Sequence, residues 1–477
     1  MLFNSFAYIV FLPLVVALYW AVPIRTRRLL LLVASYIFYM SWLPRYGLLI
    51  AVMTGVNFLF GYWLVAAHKK GPVLALAVAA NLATLAFFKY AQFLLGAFDL
   101  VIAPLGINLE MSWAERIILP LGISFFTFEF IHYLVDVYRG SKPIRSFLDF
   151  ALFPAFFPTQ IAGPIKRYQD FVPQLDNLPR WDAARFQHGL ALIVRGMFKK
   201  VVLADSLAVT ANLGFGNAQE LGMISAWVAV LAFAFQIYFD FSGYTDIGRG
   251  SAQLMGFSVP ENFNLPYLAA NISEFWHRWH ITLSQWLRDY LFIPLGGSRG
   301  TRGQTYRNLF ITMTLGGLWH GAAWTFVIWG MYHGACLILH REFQRRTERS
   351  HTLNRLKSQA FGRALAVLMT FVIVCIGWVF FRSGSMAEAS QILLRMLTLA
   401  GGWLGTAITT TRMLEVMLII AAYAGFLAIS RWFDHQHRWP SLANSRWAIG
   451  SVVHTGMVVA IIIMPPQMSS AFIYFQF

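Results

Sequence analysis

Long apolar segments recur along the whole of this 477-residue chain, and charged residues rarely interrupt them. Hydrophobic residues make up 58% of the sequence and charged residues only 12%, whereas a soluble domain carries about 25% charged residues. A segment of about 20 mostly apolar residues is long enough to cross a bilayer as a helix. The sequence therefore predicts a multi-pass membrane protein. The 17 tryptophans and 18 tyrosines agree with this, because both residue types collect at membrane interfaces.

Eleven segments are apolar enough to be predicted as membrane-spanning helices, with shorter runs accepted because a bundle can cover them. They are residues 5–23, 28–43, 46–67, 71–90, 116–138, 221–240, 309–321, 324–340, 364–381, 413–430 and 447–464. Prolines interrupt the further run 147–165, which is therefore predicted to be re-entrant and covered by protein. The predicted fold is all-α: a single domain, residues 1–477, forming a polytopic bundle of transmembrane helices with re-entrant and interfacial helices.

The net charge of +16 comes largely from lysines and arginines in short loops between the apolar segments. The loops 25–28, 69–70 and 139–145 are basic, whereas 91–115 contains Asp99, Glu110 and Glu115 and no Lys or Arg. Because basic short loops mark the cytoplasmic side, the N-terminus is predicted to lie outside. The basic stretch 341–363 is then cytoplasmic, and the topology after residue 382 stays open.

The charge distribution also bears on partners and cofactors. A nucleic-acid partner is not expected, because the basic residues do not form one compact basic domain. Loops of this kind favour anionic lipid headgroups instead. The two cysteines, Cys336 and Cys375, lie inside apolar runs, so neither a disulfide framework nor a Cys/His metal site is expected.

The segment 235–334 combines many aromatic residues with a concentration of polar ones. Within it, 274–291 is amphipathic when read as one helix at about 100° per residue. One face holds Trp276, Trp279, Leu283, Trp286, Leu287 and Tyr290, and the opposite face holds Arg278, Thr282, Gln285 and Asp289. His280 lies at the edge of the apolar face, one turn from Trp276 and Ser284. This helix is predicted to line a wet cavity or, as the simpler alternative, to lie on the membrane surface.

His320 lies in the sequence LGGLWHGAAW, inside an apolar segment. Gly316, Gly317 and Gly321 predict the close approach of another backbone or of a ligand. An ionisable side chain at membrane depth is a functional-site hypothesis by default, and the alternative is a buried imidazole bonded to a neighbouring helix. His333 would lie about 220° further round a continuous helix, so it is predicted to face elsewhere and to be structural.

Asp240 and Asp246 bracket the sequence FSGYT at the end of a predicted helix. They are expected to orient one of the basic groups Arg249, Arg278 or Arg288. A purely structural ion-pair network is the alternative, because such networks also bring acids and bases together.

Several long motifs occur together and in order: LFNSFAYIVFLPLVVALYW at the start, then LPLGISFFTFEFIHYLVDVYRG, FPTQIAGPI and the whole of 235–334. With these motifs the chain resembles the membrane-bound O-acyltransferase family. Within that family it is most similar to the bacterial branch that includes the membrane protein of alginate O-acetylation. The likeness covers nearly the whole chain, whereas the tripeptide WHG alone would be weak evidence for the family.

The resemblance implies a catalytic role for His320 and a second conserved polar position at His280. It also implies a helical bundle around a central funnel in a bacterial inner membrane. The N-terminus, which the basic loops place outside, would then lie in the periplasm. The donor would be a cytoplasmic thioester such as acetyl-CoA, with no bound cofactor, and periplasmic partner proteins would load the acetyl group onto an exopolysaccharide. Further candidates for the substrate or donor site are Trp276, Ser284, Arg288, Asp289, Trp319, Tyr244, Asp240 and Asn264.

The residues suit this chemistry. Transfer of an acyl group to an alcohol needs a base that takes the hydroxyl proton, and histidine supplies this most often. Donors such as a second histidine, a Trp N–H or a backbone N–H could stabilise the oxyanion. No GxSxG sequence indicates a covalent serine intermediate. We therefore expect His320 to be the general base and His280 to position or polarise the acyl group.

Other functions fit parts of the same pattern. Within the family, the acceptor could instead be cellulose, peptidoglycan or, with D-alanyl transfer, teichoic acid. From a different class, a proton-coupled transporter could use His280 and His320 as a relay, although no internal repeat is visible in the sequence. A non-catalytic scaffold for an exopolysaccharide complex would tolerate the loss of His320.

Overall fold

The computed structural model describes residues 1–105, 112–161, 163–347, 359–435, 443–464 and 472–473. Within these residues the chain is helical, and the β structure is a single isolated bridge between Leu221 and Gly405. The all-α prediction is therefore confirmed. Glu110 and part of the basic stretch 341–363 lie outside the described residues.

The N-terminal part of the chain alternates long helices with short ones. The helices are α1 Phe6–Ala21, α2 Arg27–Met40, α3 Arg45–Ala66, α4 Lys70–Leu85, α5 Ala91–Ile102, α6 Ser112–Glu115, α7 Ile123–Tyr138, α8 Phe147–Ala155, α9 Tyr168–Asp176, α10 Ala183–Met197 and α11 Asp205–Gly216. Two π-helical segments, Ala86–Tyr90 and Phe198–Ala204, join α4 to α5 and α10 to α11.

The C-terminal part contains the longest helix and the two short helices of the site. The helices are α12 Met223–Leu254, α13 Ile272–Arg278, α14 Ile281–Leu287, α15 Arg302–His320, α16 Trp324–Thr347, α17 Ala360–Arg382, α18 Met386–Leu397, α19 Thr410–His435 and α20 Ala443–Ile463. A third π-helical segment, Arg288–Phe292, continues α14.

Each of the eleven predicted spans contains a helix, but the helices differ in length and polarity. Five stretches of the described chain are long and apolar enough to cross a membrane: Arg45–Ala66, Lys70–Leu105, Met223–Leu254, Ala360–Arg382 and Thr410–Ala428. Phe6–Ala21 and Gly450–Ile463 are apolar but shorter. The chain is thus a multi-pass membrane protein in which neighbouring helices must cover the shorter elements.

The 32-residue helix α12 is the centre of the bundle. In the apolar 18-residue stretch of α12, 83% of the residues are buried, whereas 33% are buried in the corresponding stretch of α3. Helices α10, α11 and α17 to α19 pack around it. Close contact with α10 depends on glycine, because a Cβ on Gly196 would lie 2.5 Å from the carbonyl oxygen of Gly243. Small residues at helix crossings allow this kind of packing in membranes.

The buried apolar residues form two clusters that meet at the candidate site. The first contains Leu283, Trp286 and Trp319 together with residues of α1 to α3 and α7 to α9. The second contains Trp279 and Trp329 together with residues of α12, α17 and α18. His280, between Trp279 and Leu283 in the chain, therefore lies where the two clusters join.

The segment 147–165 is a short helix followed by irregular backbone. Helix α8 ends at Ala155, and turns follow as far as residue 161. Phe150, Phe153, Phe156 and Phe157 are fully buried. Protein therefore covers this backbone, as a re-entrant element requires.

Two of the basic loops, 25–28 and 139–145, are tied to neighbouring elements. Arg28 forms an ion pair with Asp149 of α8, with 2.9 Å between Nη1 and Oδ2. The hydroxyl of Tyr62, at the end of α3, donates to the carbonyl of Arg145 at 3.1 Å. Arg139 donates to the carbonyl of Asp289 at 3.2 Å. The last of these contacts joins the basic loop 139–145 to the π-helical segment that follows α14.

Candidate active site

The predicted continuous helix 274–291 is wrong, because the chain breaks at His280. Helix α13 ends at Arg278 and α14 begins at Ile281. His280 has φ 42° and is one of two non-glycine residues with positive φ in the described chain. The left-handed conformation costs about 1–3 kcal/mol, so the surrounding structure must hold it.

Asn262 supplies the contacts that hold this break. Its backbone carbonyl accepts a hydrogen bond from the N–H of Ile281 at 3.0 Å. Its side-chain oxygen accepts from the hydroxyl of Thr282 at 2.7 Å. The backbone on the C-terminal side of His280 is therefore fixed by a residue from the preceding loop. The break points the imidazole into the protein, where it is fully buried and meets the ring of Phe241 edge-on at 4.7 Å.

His320 is the last residue of α15 and is only 4% exposed. Its ring lies 5.0 Å from that of Trp329 and 5.2 Å from that of Phe381. The predicted close approach is confirmed at Gly317, where a Cβ would lie 2.3 Å from the carbonyl oxygen of Phe326. The glycine thus lets α15 and α16 cross at van der Waals contact one turn before His320.

One indole contacts both histidines. The ring of Trp319 lies 5.0 Å from that of His320 and 6.2 Å from that of His280. One aromatic cluster therefore contains His280, Trp319 and His320. All three were predicted from the sequence, in which up to 40 positions separate them. The indole N–H of Trp319 is buried and has no hydrogen-bond partner within the described residues.

His333 is closer to this cluster than the helical angle predicted. Residues 321–323 are not helical, so an angle counted from His320 does not continue into α16. The rings of His333 and Trp329 lie 4.8 Å apart, and Trp329 also contacts His320. His333 packs between Trp276 and Trp329 and is fully buried. Its surroundings are aromatic, and its structural role stays a prediction.

Two small cavities lie close to the histidines, and residues of α15 line both of them. The first, of about 210 Å³, is lined by His320, Trp319, Lys89, Ser124 and Trp42 among others. We call it the outer cavity.

The second cavity, of about 240 Å³, is lined by Trp276, Ser284 and Arg288, together with Ile281 and Met313. We call it the inner cavity. It reaches the residue next to His280 in the chain. Two larger grooves, of about 560 and 640 Å³, are mainly apolar and lie elsewhere on the bundle.

The inner cavity brings together three of the residues predicted for the donor site, namely Trp276, Ser284 and Arg288. Asp289 lies at its edge and forms ion pairs with Arg167 and Arg288. Although burial alone would raise the pKa of Asp289, hydrogen bonds from Arg288 and Arg167 hold it below the usual range. Two guanidinium groups therefore contact this carboxylate, and that of Arg139 donates to the backbone carbonyl of the same residue.

The remaining predicted residues lie outside both cavities. Tyr244 stacks between Phe3 and Phe472, with ring centroids 4.4 and 4.3 Å away. The backbone of Asn264 is paired with Arg278, and its side chain is exposed. Asp240 is buried in an ion pair with Lys200.

The basic partners expected for Asp240 and Asp246 are mostly different in the structure. Arg278 pairs with Glu274, and Arg288 pairs with Asp289. Arg249 reaches Asp246 only at 4.0 Å. The close partners of Asp246 come from α10 and the following π segment: Arg195 at 2.9 Å and Lys199 at 2.8 Å. These acids therefore belong to a network that fastens α10 to α12.

Sequence analysis missed Lys89, which lines the outer cavity beside His320. A signal was present, because Lys89 is a charged residue within a long apolar helical stretch. Among the described residues, no group of three or more His, Cys, Asp or Glu side chains could hold a metal ion.

The sequence is similar to known membrane acyltransferases. The family model for membrane-bound O-acyltransferases matches residues 123–381. A probable alginate O-acetylase of Azotobacter vinelandii is 41% identical over 89% of this chain and 83% of its own length. One from Pseudomonas putida is 38% identical over the whole of both chains. A peptidoglycan O-acetyltransferase of Helicobacter pylori is 37% identical over 78% of this chain and 74% of its own length.

The helical membrane fold, the paired histidines and these similarities agree on the class of protein. The chain belongs to the membrane-bound O-acyltransferase family. It is an enzyme, an O-acetyltransferase, as the sequence predicted.

Proposed function

We propose that the protein takes an acetyl group from a cytoplasmic thioester, acetyl-CoA, and passes it across a bacterial inner membrane for O-acetylation of an exopolysaccharide such as alginate. The observation that carries this proposal is that one cavity reaches His320 and a second cavity reaches the residue next to His280. His320 lines the outer cavity, Ile281 next to His280 lines the inner cavity, and the indole of Trp319 contacts both imidazoles.

The charge distribution supports a cytoplasmic donor. The inner cavity lies beside Arg139, which belongs to one of the basic loops that mark the cytoplasmic side. Arg288 lines the cavity and Arg167 lies at its edge. Guanidinium groups bind phosphate oxygens well, so this cluster suits the phosphate groups of coenzyme A.

The outer cavity supports an acceptor that arrives from the opposite side. It is lined by Trp42, which follows α2, and by residues 118–125, which come after the acidic stretch 91–115 in the sequence. With the basic loops inside, both positions face the periplasm, and so does the N-terminus. An alcohol could reach His320 from this side without meeting the donor's phosphate groups.

The transfer step can be written with the residues of the site. His320 takes the proton from the acceptor hydroxyl, whose oxygen attacks the thioester carbonyl carbon. The C–O bond forms and the C–S bond breaks, so the thiolate leaves and accepts the proton. His280 positions the acyl group. The buried indole N–H groups of Trp319 and Trp276, which have no hydrogen-bond partner in the described part of the chain, can donate to the oxyanion.

The central experiment uses the purified protein in lipid nanodiscs with labelled acetyl-CoA and alginate oligomers. The wild type should release free thiol and move the label to the oligomer. His320→Ala should abolish both signals while the protein remains folded and monodisperse. His188→Ala is a matched control, because His188 is an exposed histidine that contacts Gln253. Normal transfer by His320→Ala would rule out the proposed role of this imidazole.

A second variant tests the donor side. Arg288→Gln should raise KM for acetyl-CoA by about tenfold, since one charge-assisted hydrogen bond contributes about 1.5–3 kcal/mol. Its kcat should change little, because the phosphate contacts are the same in the ground and transition states. An unchanged KM would place donor binding elsewhere.

The acceptor can be identified with the same assay. The relatives in Azotobacter and Pseudomonas are named for alginate, and the relative in Helicobacter pylori is named for peptidoglycan. Peptidoglycan fragments are therefore the second acceptor to test. If the label leaves acetyl-CoA only when periplasmic proteins of the same strain are added, those proteins are the partners that load the polymer.

A further inference from the structure

The π-helical segment Ala86–Tyr90 packs against the end of α15 that carries His320. The Lys89 ammonium donates to the backbone carbonyl of Trp319 at 2.7 Å and to that of His320 at 3.0 Å. The hydroxyl of Tyr90 donates to the carbonyl of Leu318 at 2.8 Å. Two adjacent side chains therefore bind three consecutive carbonyls at the end of one helix.

These contacts meet a requirement of the helix end. The last four carbonyls of an α-helix have no partner within the helix, and they carry its negative dipole end. The chain becomes extended at Gly321, so α15 cannot continue. Inside a membrane protein an unpaired carbonyl is costly, and a cation at this end is favourable. The Lys89 ammonium provides both the hydrogen-bond donor for these carbonyls and the positive charge at the helix end.

Lys89 also faces the site itself. It lines the outer cavity together with His320, and it is the one charged residue among the described residues that line this cavity. Its ammonium lies 5.9 Å from the ring of Trp319, the indole that contacts both histidines. Lys89 thus contacts the backbone of His320 and lies near the side chain of Trp319.

We infer that Lys89 is a positioning residue for the acyl transfer, an inference that rests on the proposed function. It fixes the last turn of α15 and so sets the direction of the His320 imidazole. Lys89 and Tyr90 are the last two residues of the π-helical segment, and both bind this helix end. Such π segments are frequent at functional sites.

Loss of the ammonium should loosen this turn. In Lys89→Met the two carbonyls lose their donor while the side chain keeps a similar length. A misplacement of the imidazole by about 1 Å is expected to lower kcat about 100-fold. KM for acetyl-CoA should stay close to the wild-type value, because the inner cavity is not touched. Lys89→Arg keeps the charge and the donors, so it should recover most of kcat.

Tyr90→Phe is the matched control. It removes one hydrogen bond to the same helix end, but at Leu318, one residue further from the imidazole. A merely structural role for the whole segment would make Lys89→Met and Tyr90→Phe equally harmful. A positioning role makes the loss of kcat per folded protein much larger for Lys89→Met. Equal losses, or no recovery by Lys89→Arg, would overturn the inference.

Hydrogen–deuterium exchange separates this inference from the proposed function. Amide exchange in the peptide that spans residues 316–323 should become faster in Lys89→Met and stay close to wild type in Lys89→Arg. This measurement does not need a substrate. If the wild type transfers no acetyl group, the proposed function fails, yet faster exchange still supports the positioning role. Unchanged exchange in Lys89→Met contradicts that role whatever the activity.

Discussion

Lys200 and Asp240 form an ion pair inside the bundle, with 2.8 Å between Nζ and Oδ1 and side chains only 1% and 3% exposed. Lys200 also pairs with Asp205 at 2.7 Å. The second oxygen of Asp240 accepts a hydrogen bond from the N–H of Ile473 at 2.8 Å. One carboxylate therefore joins α12, the π segment after α10 and the C-terminal residues.

Asp240→Asn should destabilise the protein, because Lys200 loses one of its two buried carboxylate partners and keeps Asp205. The cost should stay below about 3–5 kcal/mol, the value for a buried charge that is left without a partner. The melting temperature in nanodiscs should fall by several degrees. Glu415→Gln is the control, because the Arg412–Glu415 pair is 29% and 36% exposed and such a pair contributes at most about 1 kcal/mol. Equal melting temperatures for the two variants would show that the buried pair contributes no more to stability than the exposed pair.

The sequence predicted the positions of most long helices because hydrophobic length is a local property. The predicted spans did not include α10 and α11, because Lys199 and Lys200 interrupt the apolar pattern there. In the structure these charges are neutralised by Asp246, Asp205 and Asp240. Hydropathy cannot anticipate this, because the partners become neighbours only after α10 packs on α12.

Part of the site was also predicted, because some of its signals are local in the sequence. His320 and Gly317 stand out because a polar residue and glycines in an apolar run are visible locally. The break at His280 was not visible, since a helical wheel assumes a continuous helix and Asn262, which holds the break, lies in another element. Lys89 reaches a carbonyl 230 residues away, a contact that only the packed bundle reveals.

Gly317→Ala should damage both packing and activity. The added Cβ would lie 2.3 Å from the Phe326 carbonyl oxygen and 2.9 Å from the Cα of Gly330, so α15 and α16 must separate. Overpacking of this kind costs about 1–3 kcal/mol. Because His320 follows one turn later, kcat should fall as well.

Gly303→Ala provides the comparison on the same helix. Nothing lies within 4 Å of a Cβ at this position, and alanine favours the helix by about 0.5–1 kcal/mol over glycine. Its melting temperature should equal or exceed that of the wild type. A Gly317→Ala protein with wild-type melting and kcat would contradict the close crossing.

Stability at the end of α16 should depend on pH. Hydrogen bonds from Arg345 and Arg346, then from Tyr306, lower the pKa of Glu342 from 4.5 to about 2. A carboxyl whose folded pKa is depressed contributes stability above its unfolded pKa, and that contribution disappears as the pH falls from 4.5 towards 2. The melting difference between wild type and Glu342→Gln should be constant from pH 6 to pH 8 and shrink below about 4.5.

Substitutions at His280 can separate the role of the imidazole from that of the backbone. Asparagine adopts positive φ more readily than other non-glycine residues, so His280→Asn should keep the break between α13 and α14. Alanine is less tolerant, and the left-handed conformation costs it about 1–2 kcal/mol. If the imidazole polarises the acyl group, both variants lose about 100-fold or more in kcat, while only His280→Ala also loses folded protein.

Leu265→Asn is the control for His280→Asn. Leu265 is the other non-glycine residue with positive φ, at 45°, and it lines the 640 Å³ groove away from both small cavities. The asparagine relieves a similar backbone strain there without touching a histidine, so kcat should match that of the wild type. Wild-type kcat in His280→Asn as well would mean that His280 serves only to turn the chain. His320 would then carry the proton transfer without help from a second imidazole.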